Sequence, residues 1–217
     1  MEGPEQSGNV LKEGLFCVFE GIDGSGKTTL IQKVREELLN QMPELSDSIL
    51  LLREPTSGKT GQKIRAFLQA GNNLQRSEWI DLFMLDREEN VNSSIKPELK
   101  NKKLILQDRY FYSTAAYQGD ETEPPGAQEI LEESLKRGFP EPSLLFFLDI
   151  PPEVALERIT KSREQMESFE TLAQQEKFYK NFLRILPEEC IFLDAMENSD
   201  EIAFEISKII LGAIEDQ

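Results

Sequence analysis

The sequence predicts an α/β protein built on a five-stranded, mostly parallel, doubly wound sheet that is flanked by helices. Five short apolar runs recur along the 217 residues, and segments with helical periodicity separate them. This alternation is typical of buried parallel strands joined by crossover helices. The runs lie at residues 15–19, 49–52, 103–106, 144–148 and 191–193. With 39% hydrophobic residues the chain can bury one substantial core, so we expect a flexible tail at 1–14 and a single domain at 15–217.

Helical periodicity is clearest after the first strand and at the end of the chain. Residues 27–40 place Leu30, Val34 and Leu38 on one face, and residues 202–213 repeat that spacing with four isoleucines and an alanine. An apolar stripe of this kind is the face that a helix buries. We therefore expect a helix directly after the first strand, and a last helix that closes the sheet.

A glycine-rich segment at 21–28, of the form G-x-x-x-x-G-K-T, connects the first strand to the first helix. Its glycines allow successive backbone N–H groups to face one anion, Lys27 reaches the β and γ phosphates, and the Thr28 hydroxyl can coordinate Mg²⁺. The helix that follows directs its N-terminal dipole at the same phosphates. The segment predicts a nucleoside triphosphate site made of Gly21, Ile22, Asp23, Gly24, Ser25, Gly26, Lys27 and Thr28.

Composition excludes several classes of function. The chain has no histidine, which rules out Ser-His-Asp and Cys-His catalysis and most zinc sites. Its net charge of −16 argues against binding along a nucleic-acid backbone, because that affinity depends on many Lys and Arg contacts. No apolar run reaches the roughly 18 residues of a membrane span, and the first residues lack a signal-peptide pattern. We expect a cytoplasmic protein with no nucleic-acid or membrane partner.

Charged residues follow the predicted strands, at the edge where open α/β sheets bind ligands. Arg53 and Glu54 follow the second strand, Asp108 and Arg109 follow the third, and Asp149 follows the fourth. Two arginines and several carboxylates would then converge on one crevice. Two phosphate-bearing substrates around Mg²⁺ require such an arrangement.

Four segments, in the expected order, resemble the thymidylate kinase family. Residues 108–119 read D-R-Y-F-Y-S-T-A-A-Y-Q-G, which is similar to that family's signature, and they accompany the loop at 21–28, R-E-P at 53–55 and L-F-M-L-D-R at 82–87. The resemblance covers nearly all of the chain after residue 14. It implies a P-loop nucleoside monophosphate kinase fold with a short mobile lid. It also implies an enzyme that moves the γ-phosphoryl group of ATP to dTMP, giving dTDP and ADP for dTTP synthesis.

The resemblance implies roles for residues around dTMP. Arg53, Arg65 and Arg109 resemble the family's arginines around the acceptor phosphate, although Arg65 is also consistent with an exposed helix arginine. Phe83 resembles the aromatic that stacks on thymine, and Arg87, one helical turn later, would reach the carbonyl edge of the base. An aromatic residue in such an apolar run is equally often part of a core.

A second group of residues would read the nucleoside. Thr114 and Gln118 resemble residues that contact the thymine ring, and Tyr117 resembles the tyrosine whose bulk disfavours a ribose 2′-hydroxyl. Asp23 lies where the family often carries a carboxylate near the acceptor sugar and the metal, although Asp is also a common turn residue.

Catalysis of this kind depends on positioning and on positive charge around the transferred group. The catalytic candidates that the resemblance implies are Lys27, Arg109, Arg163 and Asp23. Asp108 could hold Lys27 or a metal-bound water, and an ion pair with its neighbour Arg109 is the simpler alternative.

The family's mobile lid would lie at about 158–170. Some relatives carry an arginine in the phosphate loop where this chain has Gly24, so the transition-state cation is expected from the lid. Arg163 is the first candidate, with Arg158 and Lys161 in support, and a solvated basic turn is the alternative. The lid also departs from the family pattern, because many lid-dependent relatives carry a further arginine just before its Phe-Glu pair.

Two other functions stay open on sequence alone. A kinase for another nucleoside monophosphate is disfavoured by Thr114, Tyr117 and Gln118. A binding-only module or GTPase-like switch is disfavoured because the Asn-Lys-x-Asp base motif is absent. The family is commonly homodimeric, which implies a homodimer here. The chain has Asn90 where many relatives carry histidine, a difference that predicts nothing by itself.

Overall fold

The computed structural model of the chain describes residues 10–71, 74–162 and 171–217. It contains one sheet of five parallel strands in the order β2-β3-β1-β4-β5. The strands are β1 (Leu15–Glu20), β2 (Ile49–Arg53), β3 (Leu104–Asp108), β4 (Leu144–Asp149) and β5 (Ile191–Asp194). Every predicted apolar run forms a strand, so the α/β fold is confirmed, and the sheet is parallel throughout.

Helices connect the strands. In the described part of the chain the α-helices are α1 (Lys27–Gln41), α2 (Lys59–Gln69), α3 (Arg76–Asn90), α4 (Lys96–Lys100), α5 (Phe111–Gln118), α6 (Ala127–Lys136), α7 (Pro152–Ser162), α8 (Leu172–Ile185) and α9 (Ser199–Glu215). The predicted first and last helices are α1 and α9. These two pack against each other, and Gln41 donates a hydrogen bond to Ser207 across the contact at 2.8 Å.

The centre of the sheet is the most completely buried part of the molecule. All residues of β1 and β3 are buried, whereas β2 and β5, at the two edges, are partly exposed. Phe19 of β1 stacks on Phe146 of β4 with ring centroids 5.1 Å apart. Burying one such side chain contributes roughly 1.5–3 kcal/mol, so the continuous apolar runs are the main source of the fold's stability.

The register of the strands brings charged residues together at one edge. Asp108 lies opposite Phe19 on one side and Arg53 on the other, and Glu20 lies opposite Phe147. Glu20, Arg53 and Asp108 therefore end three adjacent strands at the same edge of the sheet. The glycine-rich segment begins at that edge.

The chain before β1 packs on the body of the protein. Leu11 is buried, and the backbone N–H groups of Lys12 and Glu13 donate to the Gln217 side chain at 3.1 and 3.0 Å. The predicted loose tail therefore does not extend to residue 14. Within the described residues, no helix is both long enough and apolar enough to span a membrane.

Candidate active site

The glycine-rich segment forms a tight loop that ends at the N-terminus of α1. Gly21, Gly24 and Gly26 have φ angles of 150°, 82° and 93°, a region that side chains with a Cβ rarely adopt. The loop follows the buried strand β1, and helical geometry starts at Lys27. The N–H groups of the first turn of α1 and its dipole are available to an anion at this point.

Lys27 lies inside this loop. Its ammonium donates to the carbonyls of Gly21 and Ile22 at 2.8 and 2.9 Å and to Ser25 Oγ at 3.1 Å. Burial, followed by the nearby Arg109 guanidinium, lowers the pKa of Lys27 from 10.5 to about 7. A polyanion bound in the loop would supply the opposite charge that this buried amine needs.

Gly24 fixes the distance between the loop and α7. A Cβ atom at residue 24 would lie 2.3 Å from the carbonyl oxygen of Ala155, far inside van der Waals contact. The φ angle of 82° would strain any L-residue there as well. The loop of this chain therefore cannot hold an arginine at position 24 without moving α7.

Thr28 and Asp108 form the metal-binding candidate. The Thr28 hydroxyl donates to Asp108 Oδ2 at 2.5 Å, and Arg53 Nε lies 3.7 Å from the same oxygen. The ion pair between Asp108 and Arg109, considered as the simpler alternative, is not the contact found: Arg109 pairs with Asp23 instead. A hydroxyl beside a buried carboxylate fits Mg²⁺, which takes hard oxygen ligands and usually combines one or two protein groups with phosphates and waters.

Arg109 occupies the centre of the site in an unusual backbone conformation. Its φ angle is 65°, in the left-handed region. The guanidinium donates to Asp23 Oδ1 at 2.5 Å and to Ser113 Oγ at 3.1 Å, and it lies 5.1 Å from the centre of the Tyr117 ring. Arg109 therefore joins the phosphate loop, through Asp23, to helix α5.

Glu20 binds the residues that follow Arg109. Its carboxylate accepts from the backbone N–H groups of Tyr110 and Ser113 at 2.8 and 3.1 Å and from the Ser113 hydroxyl at 2.6 Å. Burial raises the pKa of this carboxyl above its ordinary value, while Ser113 and Arg109 oppose that change. Sequence analysis gave Glu20 no role. A carboxylate at the end of a fully buried strand was the signal that could have shown its importance.

A cavity of about 220 Å³ opens beside Arg109. It is lined by every residue that the resemblance assigned to the acceptor nucleotide: Arg53, Arg65, Phe83, Arg87, Arg109, Thr114, Tyr117 and Gln118. Asp23 of the phosphate loop lines it too, so the cavity and the loop are contiguous. Glu54, which the sequence placed at this crevice, also lines it, and sequence reasoning gave no role to other lining residues, among them Leu68, Gln69, Tyr110 and Ser113.

Arg87 and Phe83 lie on the inner face of α3. Arg87 is 1% exposed; it donates to Glu54 at 2.6 Å and to the Thr114 hydroxyl at 3.0 Å. Its Nε and Nη1 atoms have no hydrogen-bond partner within the described residues. Phe83 borders the cavity, so it is a lining residue rather than simple core. Its ring centroid lies 6.0 Å from that of Trp79.

Arg65 and Tyr117 are held in place by their surroundings. Arg65 donates to the carbonyl of Thr56 at 2.6 Å and to that of Pro55. It is therefore not the freely exposed helix arginine considered as an alternative. Tyr117 stacks on Phe178 of α8 at 4.2 Å, which leaves its ring little freedom at the cavity wall.

The predicted lid lies largely beyond the description. Arg163 and the rest of the segment 163–170 are outside the described residues. Arg158 donates to the Ala195 carbonyl at 3.0 Å, and Lys161 pairs with Glu157 of its own helix at 2.5 Å. The structure thus places Arg158 and Lys161 on α7 with partners outside the phosphate loop.

Taken together, a parallel sheet, a phosphate loop at the start of α1 and a contiguous cavity with four arginines define a P-loop enzyme that transfers phosphoryl groups between nucleotides. The model of the family "Thymidylate kinase" matches residues 19–206. The chain belongs to the thymidylate kinase family.

Relatives from distant organisms agree with this family. A thymidylate kinase from Leptospira borgpetersenii is 45% identical over 203 residues, which cover 93% of this chain and 95% of the relative. A probable thymidylate kinase from Archaeoglobus fulgidus is 34% identical over 196 residues, 90% of this chain and 94% of the relative. A thymidylate kinase from Xanthomonas oryzae is 34% identical over 205 residues, 94% and 86% of the two chains.

Proposed function

We propose that this protein is a thymidylate kinase, which transfers the γ-phosphoryl group of ATP to dTMP and releases dTDP and ADP for dTTP synthesis. One observation carries the proposal. All eight residues assigned to the acceptor nucleotide line one cavity, and Arg109 with Asp23 connects that cavity to the phosphate loop. An acceptor phosphate in this cavity would meet a donor triphosphate on the loop.

The reaction breaks the bond between the γ-phosphorus and the β–γ bridging oxygen of ATP and forms a bond to a phosphate oxygen of dTMP. Lys27 would bind the β and γ phosphates of ATP, and Arg109 would bind the acceptor phosphate of dTMP. Their positive charges would stabilise the negative charge on the phosphate oxygens during the transfer. Thr28 and Asp108 would hold Mg²⁺. The metal would neutralise part of the phosphate charge.

Base recognition would use the buried end of the cavity. Phe83 would stack on thymine, and the Arg87 guanidinium would donate to its carbonyl edge. Thr114 and Gln118 of helix α5 line the same cavity.

Preference for deoxyribose would come from Tyr117. Its ring is fixed between Phe178 and the Arg109 guanidinium, so it cannot easily move away from an additional 2′-hydroxyl. Selection against the ribose would then be steric, because the ring stays in place.

Further properties rest on the family resemblance. We propose that Arg163, with Arg158 and Lys161, supplies positive charge from a lid at about 158–170, since Gly24 leaves the loop without an arginine. We also propose a homodimer that acts in the cytoplasm on free nucleotides, with no nucleic-acid partner. The net charge of −16 supports the last point.

The proposal is tested by ADP release with Mg²⁺-ATP and dTMP, comparing the unmodified enzyme with the variants Lys27→Met and Arg109→Met. We expect both substitutions to abolish dTMP-dependent release, because each removes a charge that the transferred group requires. Arg137→Met is the matched control: Arg137 directly follows α6 and forms an exposed ion pair with Glu133. Turnover retained by Lys27→Met or Arg109→Met would contradict the proposal.

A further inference from the structure

A network of hydrogen-bonded, buried polar side chains lies next to the acceptor cavity. Asn90 Nδ2 donates to Glu54 Oε1 at 3.1 Å and to Gln107 Oε1 at 3.4 Å. Gln107 Nε2 donates in turn to the carbonyl oxygen of Arg109 at 2.7 Å. Glu54 also binds Arg87 at 2.6 Å. The network thus connects Arg87, at the proposed base site, to the backbone of Arg109.

The acceptor groups at the two ends of this network determine the orientation of the Asn90 and Gln107 side-chain amides. The Glu54 carboxylate and the carbonyls of Asp108 and Arg109 only accept, so Asn90 and Gln107 must point their NH₂ groups at them. In that orientation both protons of each NH₂ group are used, since Gln107 also reaches the Asp108 carbonyl at 3.3 Å. A buried unsatisfied partner would cost about 1–3 kcal/mol.

Gln107 is unusual for its place in the sheet. It lies in β3, an interior strand of the sheet, and is fully buried, although the three residues before it in the strand are apolar. An apolar residue there would avoid the cost of burying an amide. The polar side chain therefore indicates a specific task, and the hydrogen bond to Arg109 identifies that task.

The backbone of Arg109 is the part that needs support. A left-handed conformation costs a non-glycine residue roughly 1–2 kcal/mol, and it persists only when the surroundings hold it. The Arg109 N–H donates to the Phe19 carbonyl at 3.1 Å, and the next N–H, of Tyr110, donates to Glu20 at 2.8 Å. Gln107 binds the carbonyl between them, so the whole peptide unit is fixed.

We propose that Asn90 and Gln107 are positioning residues, which act through the Arg109 backbone to aim its guanidinium at the acceptor phosphate. The proposal deepens the proposed function and rests on it, because it requires dTMP in the cavity. It also gives Asn90, which differs from the histidine of many relatives, a defined partner in Gln107.

The test measures binding of dTMP and of thymidine by titration calorimetry to the full-length enzyme and to Gln107→Met. Methionine has a similar length but cannot donate to Arg109. We expect the Kd for dTMP to rise about tenfold or more, since small misplacements of a positioning group have effects of this size. The Kd for thymidine should stay within about twofold, because thymidine has no phosphate for Arg109 to bind.

Two further variants complete the design. Gln175→Met is the matched control: Gln175 is also fully buried, but its amide makes no hydrogen bond in the described part of the chain. It should leave both Kd values unchanged.

In an Arg109→Ala background, Gln107→Met should cause no additional loss of dTMP affinity, because the two changes remove the same interaction. Asn90→Met provides the same comparison if Gln107→Met does not fold.

Equal losses for dTMP and thymidine would overturn the inference and indicate a general structural role. Unchanged dTMP affinity in a folded Gln107→Met protein would overturn it as well. Failure of the unmodified enzyme to bind dTMP at all would instead contradict the proposed function. The two failures are therefore distinguishable.

Discussion

Single buried charges define the chemistry of this site. Lys27 is enclosed by three oxygen atoms of the loop, yet its pKa is low because burial and the Arg109 charge both disfavour the ammonium form. Bound phosphates would reverse that balance. The charge state of Lys27 should therefore depend on whether ATP is present.

We predict that ATP binding takes up protons at pH 8. With a pKa lowered from 10.5 to about 7, Lys27 is largely neutral at pH 8 in the free enzyme and charged at pH 6. A polyanion raises the pKa again, so a proton must be taken up at pH 8 and hardly any at pH 6. Calorimetric titrations with Mg²⁺-ATP in two buffers of different ionisation enthalpy measure this uptake.

Lys27→Arg is the control for this measurement, because a guanidinium stays charged at both pH values. It should show a smaller uptake than the unmodified enzyme at pH 8. Absence of uptake at pH 8 in the unmodified enzyme would show that Lys27 is already charged there.

Residue types could be predicted from the sequence more reliably than residue pairs. The motifs placed Arg53, Arg87 and Arg109 at the cavity that the structure describes. They could not show that Asp108 contacts Thr28 while Arg109 contacts Asp23. Such pairs depend on strand register and on a left-handed residue, and neither is visible in a single sequence.

At the scale of secondary-structure elements, α7 is packed tightly against the phosphate loop. The Ala155 carbonyl occupies the space that a side chain at residue 24 would need. The segment 163–170, which contains Arg163, follows α7 directly. The position of α7 relative to the loop should therefore matter for the proposed role of Arg163.

Gly24→Ala is expected to destabilise the protein and to reduce turnover. The substitution adds left-handed strain of roughly 1–2 kcal/mol and an overpacking cost of about 1–3 kcal/mol, because a carbonyl lies in the way. Urea unfolding and ADP release measure the two effects.

Gly138→Ala separates strain from crowding. Gly138 has a similar φ angle of 69°, but a Cβ atom there would meet no atom within 4 Å. It should carry only the cost of strain and keep full activity. If the two variants lose the same stability and Gly24→Ala remains active, the loop is not fixed by α7.

The strands were the most predictable elements. Fully covered parallel strands need continuous apolar runs, so each run marked a strand to within two residues. The N-terminal segment was less predictable, because the burial of Leu11 depends on a distant part of the fold rather than on its polar neighbours.

At the scale of the whole molecule, positive charge is concentrated at one place on an acidic protein. Arginines 53, 65, 87 and 109 line the cavity, although the net charge is −16. Attraction for anions is therefore local, and the remaining surface favours solubility over polyanion binding. A nucleotide suits this distribution better than a nucleic acid.

The proposed homodimer can be tested on α3. Leu85 is 47% exposed on this helix, on the side away from the cavity-lining Arg87. We predict that light scattering coupled to size-exclusion chromatography gives the mass of two chains for the unmodified protein and of one chain for Leu85→Glu. Phe204→Glu, at a similarly exposed position on α9 (46% exposed), should remain dimeric. A monomeric unmodified protein would contradict the proposal.

The central claim is tested most directly by ADP release in a coupled assay with Mg²⁺-ATP and one acceptor at a time: dTMP, dUMP, dCMP, UMP or none. We predict strong release with dTMP, weaker release with dUMP, and little with dCMP, UMP or no acceptor. ATP binding without dTMP-dependent release, or a clear preference for another acceptor, would contradict the identification of this site as one that phosphorylates dTMP.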